Sequence, residues 1–170
     1  MNVEFINPHQ TSPFSRGRIK EGVFLKNEQA MKKFAANFAK KLKGGEILAL
    51  VGELGAGKTT FTQGLAIGLK IKGKITSPTF VIMNEYPVAP RKRAGNYKLK
   101  ILNFKLLHLD AYRLKDEKDL SALGVAELLN DPNNIVVIEW ADKIKKFLKK
   151  YHVIWLEFKI KGAGRGVVIK

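Results

Sequence analysis

The stretch Gly52–Thr60, GELGAGKTT, decides the fold of this 170-residue chain, and the apolar run Ile47–Val51 precedes it. It matches the pattern G-x-x-x-x-G-K-[ST], a glycine loop that binds phosphates between a strand and a helix. The short apolar run before it is typical of a strand buried on both faces. Phe61, Leu65 and Leu69 then follow at helical spacing. Strand, loop and helix therefore come in the required order, and the sequence predicts a nucleoside triphosphate site.

The residue types in this loop suit phosphate binding. Glycines let backbone N–H groups approach phosphate oxygens, and the helix N-terminus adds unpaired N–H groups and partial positive charge. Lys58 is expected to reach the terminal phosphates and the Thr59 hydroxyl to ligate Mg²⁺. The alternative is a glycine turn that merely links strand to helix. The predicted nucleotide contacts here are Gly52, Gly55, Ala56, Gly57, Lys58, Thr59 and Thr60.

Composition limits the class of protein. The chain is 45% hydrophobic and 27% charged, as soluble globular proteins are, and its length predicts one domain. No apolar run approaches the roughly eighteen residues of a membrane span, and residues 1–10 carry no signal core, so we expect a cytoplasmic protein. The absence of cysteine excludes disulfides, thiolate catalysis and cysteine-ligated metals. We place an N-terminal extension at 1–22 and the domain at 23–170.

Positive charge is in large excess, with 31 Lys and Arg against 15 Asp and Glu and a formal charge of +16. Such an excess favours a polyanionic partner such as RNA, but dispersed lysines also occur on ordinary solvated surfaces. Direct nucleic-acid contact therefore stays open. Two clusters stand out: Arg91–Arg93, within a turn-rich stretch at 87–100, and a basic segment, residues 142–150. The segment holds Lys143, Lys145, Lys146, Lys149 and Lys150.

Periodicity along the rest of the chain predicts alternating strands and helices. Helices are expected at 28–43, capped by Asn27, at a segment capped by Asp116 with Leu120, Leu123 and Leu128 on one face, and at about 142–150. Strands are expected at 23–25, 80–86, 99–109, 135–138, 151–160 and 167–169, with an exposed hairpin loop at 87–100. Residues 3–6 could add a short edge strand. The fold class is α/β.

Two acids follow apolar strands and are candidates for the chemistry. Glu139 follows Ile135–Ile138, and Asp110 follows Leu106–Leu109. A magnesium ion at a phosphate loop normally has a carboxylate partner at a strand end, and ligands of α/β sheets bind where the strands end. Taken alone, each acid could be an ordinary strand-to-loop residue. Beside the phosphate loop, both are predicted to face the nucleotide.

The motifs together resemble one family. Beside the phosphate loop, the chain contains Ser-Pro-Thr-Phe at 77–80, His-Leu-Asp-Ala-Tyr-Arg-Leu at 108–114 and Ile-Glu-Trp at 138–140. In this order and spacing they resemble the TsaE (formerly YjeE) ATPases over about residues 23–170. The resemblance implies a P-loop NTPase three-layer fold, with a mixed, mostly parallel sheet flanked by helices and a C-terminal β-hairpin.

The resemblance also implies an activity. TsaE proteins act with the TsaD–TsaB pair in bacterial synthesis of threonylcarbamoyladenosine on tRNA, and their ATP hydrolysis is thought to reset the transferase complex. The expected cofactors are ATP and Mg²⁺, and the expected partners are TsaD and TsaB homologues, with tRNA as the substrate of the complex.

Site roles follow from the resemblance, position by position. Thr59 and Glu139 look like the magnesium ligands, and Asp110 looks like the acid that orients or activates water. With Lys58, the two acids form the expected catalytic set. The resemblance further implies switch-like positions at Ser77 and Thr79, a cover at Trp140, and outlying nucleotide contacts at Glu28 and Arg165.

Three rival interpretations remain. A small-molecule or nucleotide kinase would need an acceptor-binding domain, which nothing in the sequence resembles. A GTPase would need an Asn-Lys-x-Asp guanine reader, which does not occur. A pure RNA-binding protein with a vestigial loop would be expected to show aromatic-interleaved basic strands. ATP turnover without an added acceptor separates the ATPase from the first and last of these.

Overall fold

The computed structural model describes residues 21–78, 82–88, 91–92, 101–102, 104–114 and 117–170. Its strands are β1 Glu21–Leu25, β2 Ile47–Val51, β3 Met83–Pro87, β4 Arg91–Lys92, β5 Ile101–Leu102, β6 Lys105–Asp110, β7 Asn134–Glu139, β8 Val153–Lys161 and β9 Gly164–Ile169. Its helices are α1 Glu28–Ala39, α2 Lys58–Gly68, α3 Glu117–Ala122, α4 Val125–Asn130 and α5 Lys145–Leu148, with a 3-10 turn Ala141–Ile144 leading into α5.

Seven strands form one mixed sheet in the order β1-β9-β8-β2-β7-β6-β3. The four central strands β8, β2, β7 and β6 pair in parallel. β9 is antiparallel to both β8 and β1, and β3 is antiparallel to β6. Five of the seven strands (β1, β8, β2, β7 and β6) therefore run in one direction, and β8–β9 is a C-terminal hairpin. The predicted fold class is confirmed.

Helices cover both faces of this sheet because β2 is apolar on both of its faces. Leu48 and Leu50 belong to a core that includes α1 and α2, whereas Ile47 and Ala49 belong to a second core. That second core includes α3, α4 and α5. The first core centres on Phe61 of α2, whose ring meets three other phenylalanine rings with centroids 5.5–6.1 Å apart. The result is three layers, helix–sheet–helix.

Helix α1 is shorter than predicted. Asn27 caps it as expected, its side chain accepting a hydrogen bond from the Ala30 amide at 2.9 Å. The helix ends at Ala39, not at residue 43. The Glu46 carboxylate accepts hydrogen bonds from the backbone amides of Lys43 and Gly44 at 2.7 and 2.9 Å. These two amides therefore bond to the residue that precedes β2 and do not extend the helix.

The strand predicted at 99–109 is wrong as a single element. Residues 101–102 pair with 91–92 in a separate two-stranded sheet. β6 begins at Lys105, opposite Asn134, where pairing with β7 starts. The two partners lie in different sheets, so the strand divides between them. β3 begins at Met83, later than the predicted residue 80, and residues 79–81 lie outside the described residues.

The single helix predicted around Leu120, Leu123 and Leu128 is also wrong. Gly124 is left-handed, with φ of 61°, and separates α3 from α4. Leu120 is fully buried whereas Leu123 is 37% exposed, so the two do not share one buried stripe. A glycine adopts this conformation without a steric penalty, and here it turns the chain between the two helices.

Several predictions fall outside the described residues. They are the strand at 3–6, nearly all of the extension 1–22, most of the loop 87–100 including Arg93, the switch residue Thr79 and the cap Asp116. The domain boundary therefore stays a prediction. Within the part of the chain that is described, no helix is long and apolar enough to cross a membrane.

Candidate active site

A cleft of about 330 Å³ opens where β2, β6 and β7 end and α2 begins. The phosphate loop forms one wall, and the two strand-end acids with their neighbours form the other. Both acids are expected at this edge, because parallel strands place their carboxyl ends together. The lining residues are Leu54, Gly55, Gly57, Lys58, Thr59, Thr60, Ser77, Asp110, Glu139 and Trp140.

The loop conformation depends on glycine at both of its ends. Gly52 has φ of 153°, and a Cβ there would lie 2.6 Å from the Phe158 carbonyl oxygen. Gly57, the N-cap of α2, has φ of 100°. Arg165 reaches across from β9 and donates from Nε to the Gly55 carbonyl at 2.9 Å. The C-terminal hairpin therefore contacts the loop directly.

Lys58 is nearly buried, at 5% exposure, and its ammonium is held by the loop itself. Nζ donates to the carbonyls of Gly52 at 2.6 Å and Glu53 at 3.0 Å. It also lies 3.8 Å from the centroid of the Trp140 ring, a cation–π contact. Burial lowers the pKa of Lys58 below its usual value, and the nearby Glu139 carboxylate opposes that shift.

Glu139 is clamped between helix α2 and strand β6. The Thr59 hydroxyl donates to Oε2 at 3.0 Å, and the His108 Nε2 lies 2.8 Å from Oε1. Both carboxylate oxygens therefore have hydrogen-bond partners, and Glu139 is only 3% exposed to solvent. Thr59 and Glu139, the two predicted magnesium ligands, are thus neighbours.

Magnesium usually takes one or two protein carboxylates and completes its shell with phosphate and water oxygens. One hydroxyl and one carboxylate oxygen beside a phosphate loop fit that requirement. The described residues contain no cluster of three or more acidic, histidine or cysteine groups. The donor set therefore fits an ion shared with a triphosphate better than an ion held by protein alone.

Asp110 is held in a fixed orientation at the end of β6. Its Oδ1 accepts from the Tyr112 amide at 2.8 Å, and Oδ2 accepts from the Ser77 hydroxyl at 3.3 Å. The side chain is buried but lines the cleft. One oxygen is thereby tied to the backbone while the other faces the loop that carries Ser77.

Trp140 directly follows β7 in a left-handed conformation, with φ of 57°. A bulky residue seldom adopts this conformation, and such strain clusters at functional sites. The strained backbone carries the indole over Lys58, and the Tyr112 ring lies 5.1 Å away. Trp140 therefore contacts the same ammonium that the loop carbonyls hold.

The structure brings most predicted site residues together. Five of the predicted loop residues line the cleft together with both acids, Ser77 and Trp140, and Arg165 contacts the loop. Gly52 and Ala56 are not among the lining residues, so their nucleotide contacts stay predictions. Glu28 lies at the start of α1, where its exposed carboxylate pairs with Lys32, and it is not among the residues that line the cleft. Its nucleotide contact stays a prediction, and so does the switch-like role of Thr79, which lies outside the described residues.

No role is predicted from the sequence for His108, which contacts Glu139 in the structure. The available signal is the alternation His-Leu-Asp: two residues apart on a strand, His108 and Asp110 face the same side of the sheet. Because Asp110 lines the cleft, His108 is expected on the same face of the sheet, two residues further from the end of the strand.

Comparison with known proteins places the chain in a family. Residues 25–166 match the family model described as threonylcarbamoyl adenosine biosynthesis protein TsaE. The chain belongs to the TsaE family. Its members serve in tRNA threonylcarbamoyladenosine biosynthesis, and the TsaE resemblance predicted from the motifs is confirmed.

Individual relatives align with this TsaE chain over most of its length. The Borreliella burgdorferi tRNA threonylcarbamoyladenosine biosynthesis protein TsaE is 36% identical over 84% of the chain and 94% of the relative. The Bacillus subtilis protein of the same name is 38% identical over 80% of the chain and 72% of the relative. The crystal structure of Bacillus subtilis YdiB superposes with a TM-score of 0.65 at 28% identity, over 90% of this chain and 87% of that one.

Proposed function

We propose that this TsaE chain is a magnesium-dependent ATPase that acts with a TsaD–TsaB pair in threonylcarbamoyladenosine synthesis on tRNA. The observation that carries the proposal is the convergence of Lys58, Thr59, Asp110 and Glu139 on one cleft at the start of α2. These groups match the phosphate-binding, metal-binding and water-orienting parts of a phosphoryl-transfer site.

The loop and Lys58 would bind the triphosphate. The Lys58 ammonium now donates to two loop carbonyls, and phosphate oxygens entering the cleft would replace these as its acceptors. Burial strengthens that attraction, because charges interact more strongly away from bulk water. The N-terminus of α2 and the loop N–H groups add further donors.

Thr59 and Glu139 would hold Mg²⁺ beside the phosphates. The ion would supply positive charge against the phosphate oxygens during transfer. The chain's own contribution is to hold one hydroxyl oxygen and one carboxylate oxygen on the same side of the cleft, within 3.0 Å of each other.

Asp110 would position a water molecule, or accept its proton, as that water approaches the terminal phosphate. The Tyr112 amide fixes the carboxylate plane, so that an oxygen faces the cleft without costing rotamer entropy at the moment of reaction. Trp140 and Ser77 would narrow the cleft around that water. No acceptor other than water is required in this arrangement.

The basic segment and the +16 charge support a charged partner surface. All five of its lysines are exposed, and the segment begins two residues after Trp140, so it adjoins the cleft. Rim charges of this kind mainly accelerate association. Contact with the transferase pair or with tRNA at this surface would place the partner beside the nucleotide.

ATP binding and turnover of Lys58→Ala test the proposal. The variant should lose both while keeping its fold, because it removes the Lys58 ammonium from the cleft. Lys143→Ala is the matched control: its side chain lies 4.9 Å from the Tyr112 ring, close to the site but outside the cleft lining. Hydrolysis should occur without an acceptor and change when TsaD, TsaB and tRNA are added. Unchanged turnover in folded Lys58→Ala refutes the proposal, and turnover only with a small-molecule acceptor favours the kinase.

A further inference from the structure

His108 is a fully buried histidine with one bonded and one unbonded ring nitrogen. Its Nε2 lies 2.8 Å from Oε1 of Glu139. Its Nδ1 is buried and has no hydrogen-bond partner among the described residues. It lies in β6 opposite Val137 of β7 on one side and Asn84 of β3 on the other.

This arrangement favours one tautomer of the ring. An ionised carboxylate only accepts hydrogen bonds, so Nε2 must carry the proton that joins it to Glu139. His108 therefore presents an N–H donor aimed at Glu139.

The contact fixes Glu139 from the side away from the loop. Oε1 faces His108 on β6 while Oε2 faces Thr59 on α2, so the two oxygens have separate tasks. When the Thr59 hydroxyl turns to another ligand, Oε2 is released, but Oε1 stays bonded. A carboxylate anchored at one oxygen keeps its plane and presents the other oxygen in a fixed place.

We propose that His108 is a positioning residue that holds the Glu139 carboxylate ready for magnesium. The inference rests on the proposed function, since it assigns Oε2 of Glu139 to the metal. Groups that orient a ligating side chain through a hydrogen bond commonly change metal affinity or activity about tenfold to a hundredfold when removed. His108 acts only through Glu139 and touches no reacting atom.

A purely structural role predicts something different. A buried polar pair that only stabilises the fold would, when broken, lower the unfolding midpoint and leave the magnesium requirement of the folded protein unchanged. The two roles are separated by measuring magnesium dependence directly, in the folded protein and without turnover.

The test is binding of the non-hydrolysable analogue adenylyl imidodiphosphate by calorimetry across a magnesium series. His108→Leu removes the donor while keeping an apolar side chain of moderate size, and its half-saturating magnesium should rise about tenfold or more. His108→Gln retains a donor on a longer side chain and should recover most of the wild-type value. Saturating magnesium should restore analogue binding in His108→Leu.

Asn134→Leu is the matched control. Asn134 is also buried and polar, it bonds to the Leu128 carbonyl at 3.0 Å, and its Oδ1 lacks a partner among the described residues. It lies at the opposite end of β7, five residues or about 16 Å along the strand from Glu139. Its substitution should change stability without moving the magnesium requirement.

A spectroscopic measurement on the unsubstituted protein covers the case in which His108→Leu does not fold. The ¹⁵N shifts of the imidazole in a long-range correlation spectrum should show a proton on Nε2. The chain has only three histidines, so the assignment is tractable.

Three results overturn the inference alone: an unchanged magnesium requirement in folded His108→Leu, an equal shift in Asn134→Leu, or the absence of a proton on Nε2. If the wild-type protein binds the analogue without any dependence on magnesium, or does not bind it, the proposed function fails as well.

Discussion

Gly64→Ala should destabilise the protein, although alanine is the better helix former. Gly64 is buried in α2 where that helix meets α1. A Cβ at this position would lie 2.6 Å from the Lys32 carbonyl oxygen, 2.7 Å from the Lys32 Cα and 2.7 Å from the Ala35 Cβ. Two of these three atoms are backbone, so no side-chain rotation relieves the contact.

Two opposing terms set the size of the effect. Replacing glycine by alanine in a helix interior favours folding by about 1 kcal/mol. Forcing an extra methyl group into a packed core costs about 1–3 kcal/mol, and contacts with backbone call for the upper part of that range. The net loss in free energy of unfolding should be about 1–2 kcal/mol. For a chain of this length the Tm should fall by about 2–8 °C.

Urea unfolding followed by circular dichroism gives the free energy, and a thermal scan gives the Tm. Ile67→Ala on the same helix is the control, because Ile67 is 60% exposed and its truncation should change stability by less than about 0.5 kcal/mol. Gly68→Ala should behave like Gly64→Ala, since a Cβ there would lie 2.4 Å from the Ala36 carbonyl. A Gly64→Ala protein as stable as the wild type, or more so, would refute the close-packing argument.

The site supports four further expectations. Asp110→Asn should still bind ATP but hydrolyse it slowly, whereas Glu139→Ala should need more magnesium for ATP binding and turnover. Titrations of ATP and magnesium measure both effects, and the opposite pattern would mean that the roles of the two acids are exchanged. In Trp155→Phe, the fluorescence of the remaining Trp140 should change when ATP and magnesium bind, because its ring lies 3.8 Å from the Lys58 ammonium that the phosphates would attract. Fluorescence that does not change on binding would contradict the position of Trp140 at the active site. Lys58→Met should unfold at higher urea than the wild type while losing ATP affinity. Burial lowers the folded-state pKa of Lys58 below its unfolded value, so the wild type should recover stability relative to Lys58→Met as pH rises from that lowered pKa towards 10.5. Reversing four lysines of the basic segment to Glu should slow association with the transferase pair and make its rate less dependent on salt. ATP binding should hardly change, because salt screening limits the reach of exposed charges to about 8 Å. A loss of tRNA affinity instead identifies tRNA as the partner of this surface.

Local patterns in the sequence were enough to predict the phosphate-loop unit and most of the α/β plan. The order of strand, glycine loop and helix at 47–68 depends on residues close together in the chain, and so does the cap at Asn27. The placement of Asp110 and Glu139 at one edge followed from a general rule, because parallel strands end together. Four short motifs in a fixed order were enough to predict the family.

Contacts between residues distant in the chain determined the rest. The strand predicted at 99–109 divides because its two halves pair with different sheets, and no local pattern records which partner a strand will have. Gly64 and Gly68 look like weak points of a helix in the sequence, yet they are where α1 lies against α2. His108 resembles any histidine of an alternating strand until β7 places Glu139 2.8 Å from its ring. A hydrogen bond between residues 31 positions apart depends on the register of two strands, and only the folded sheet sets that register.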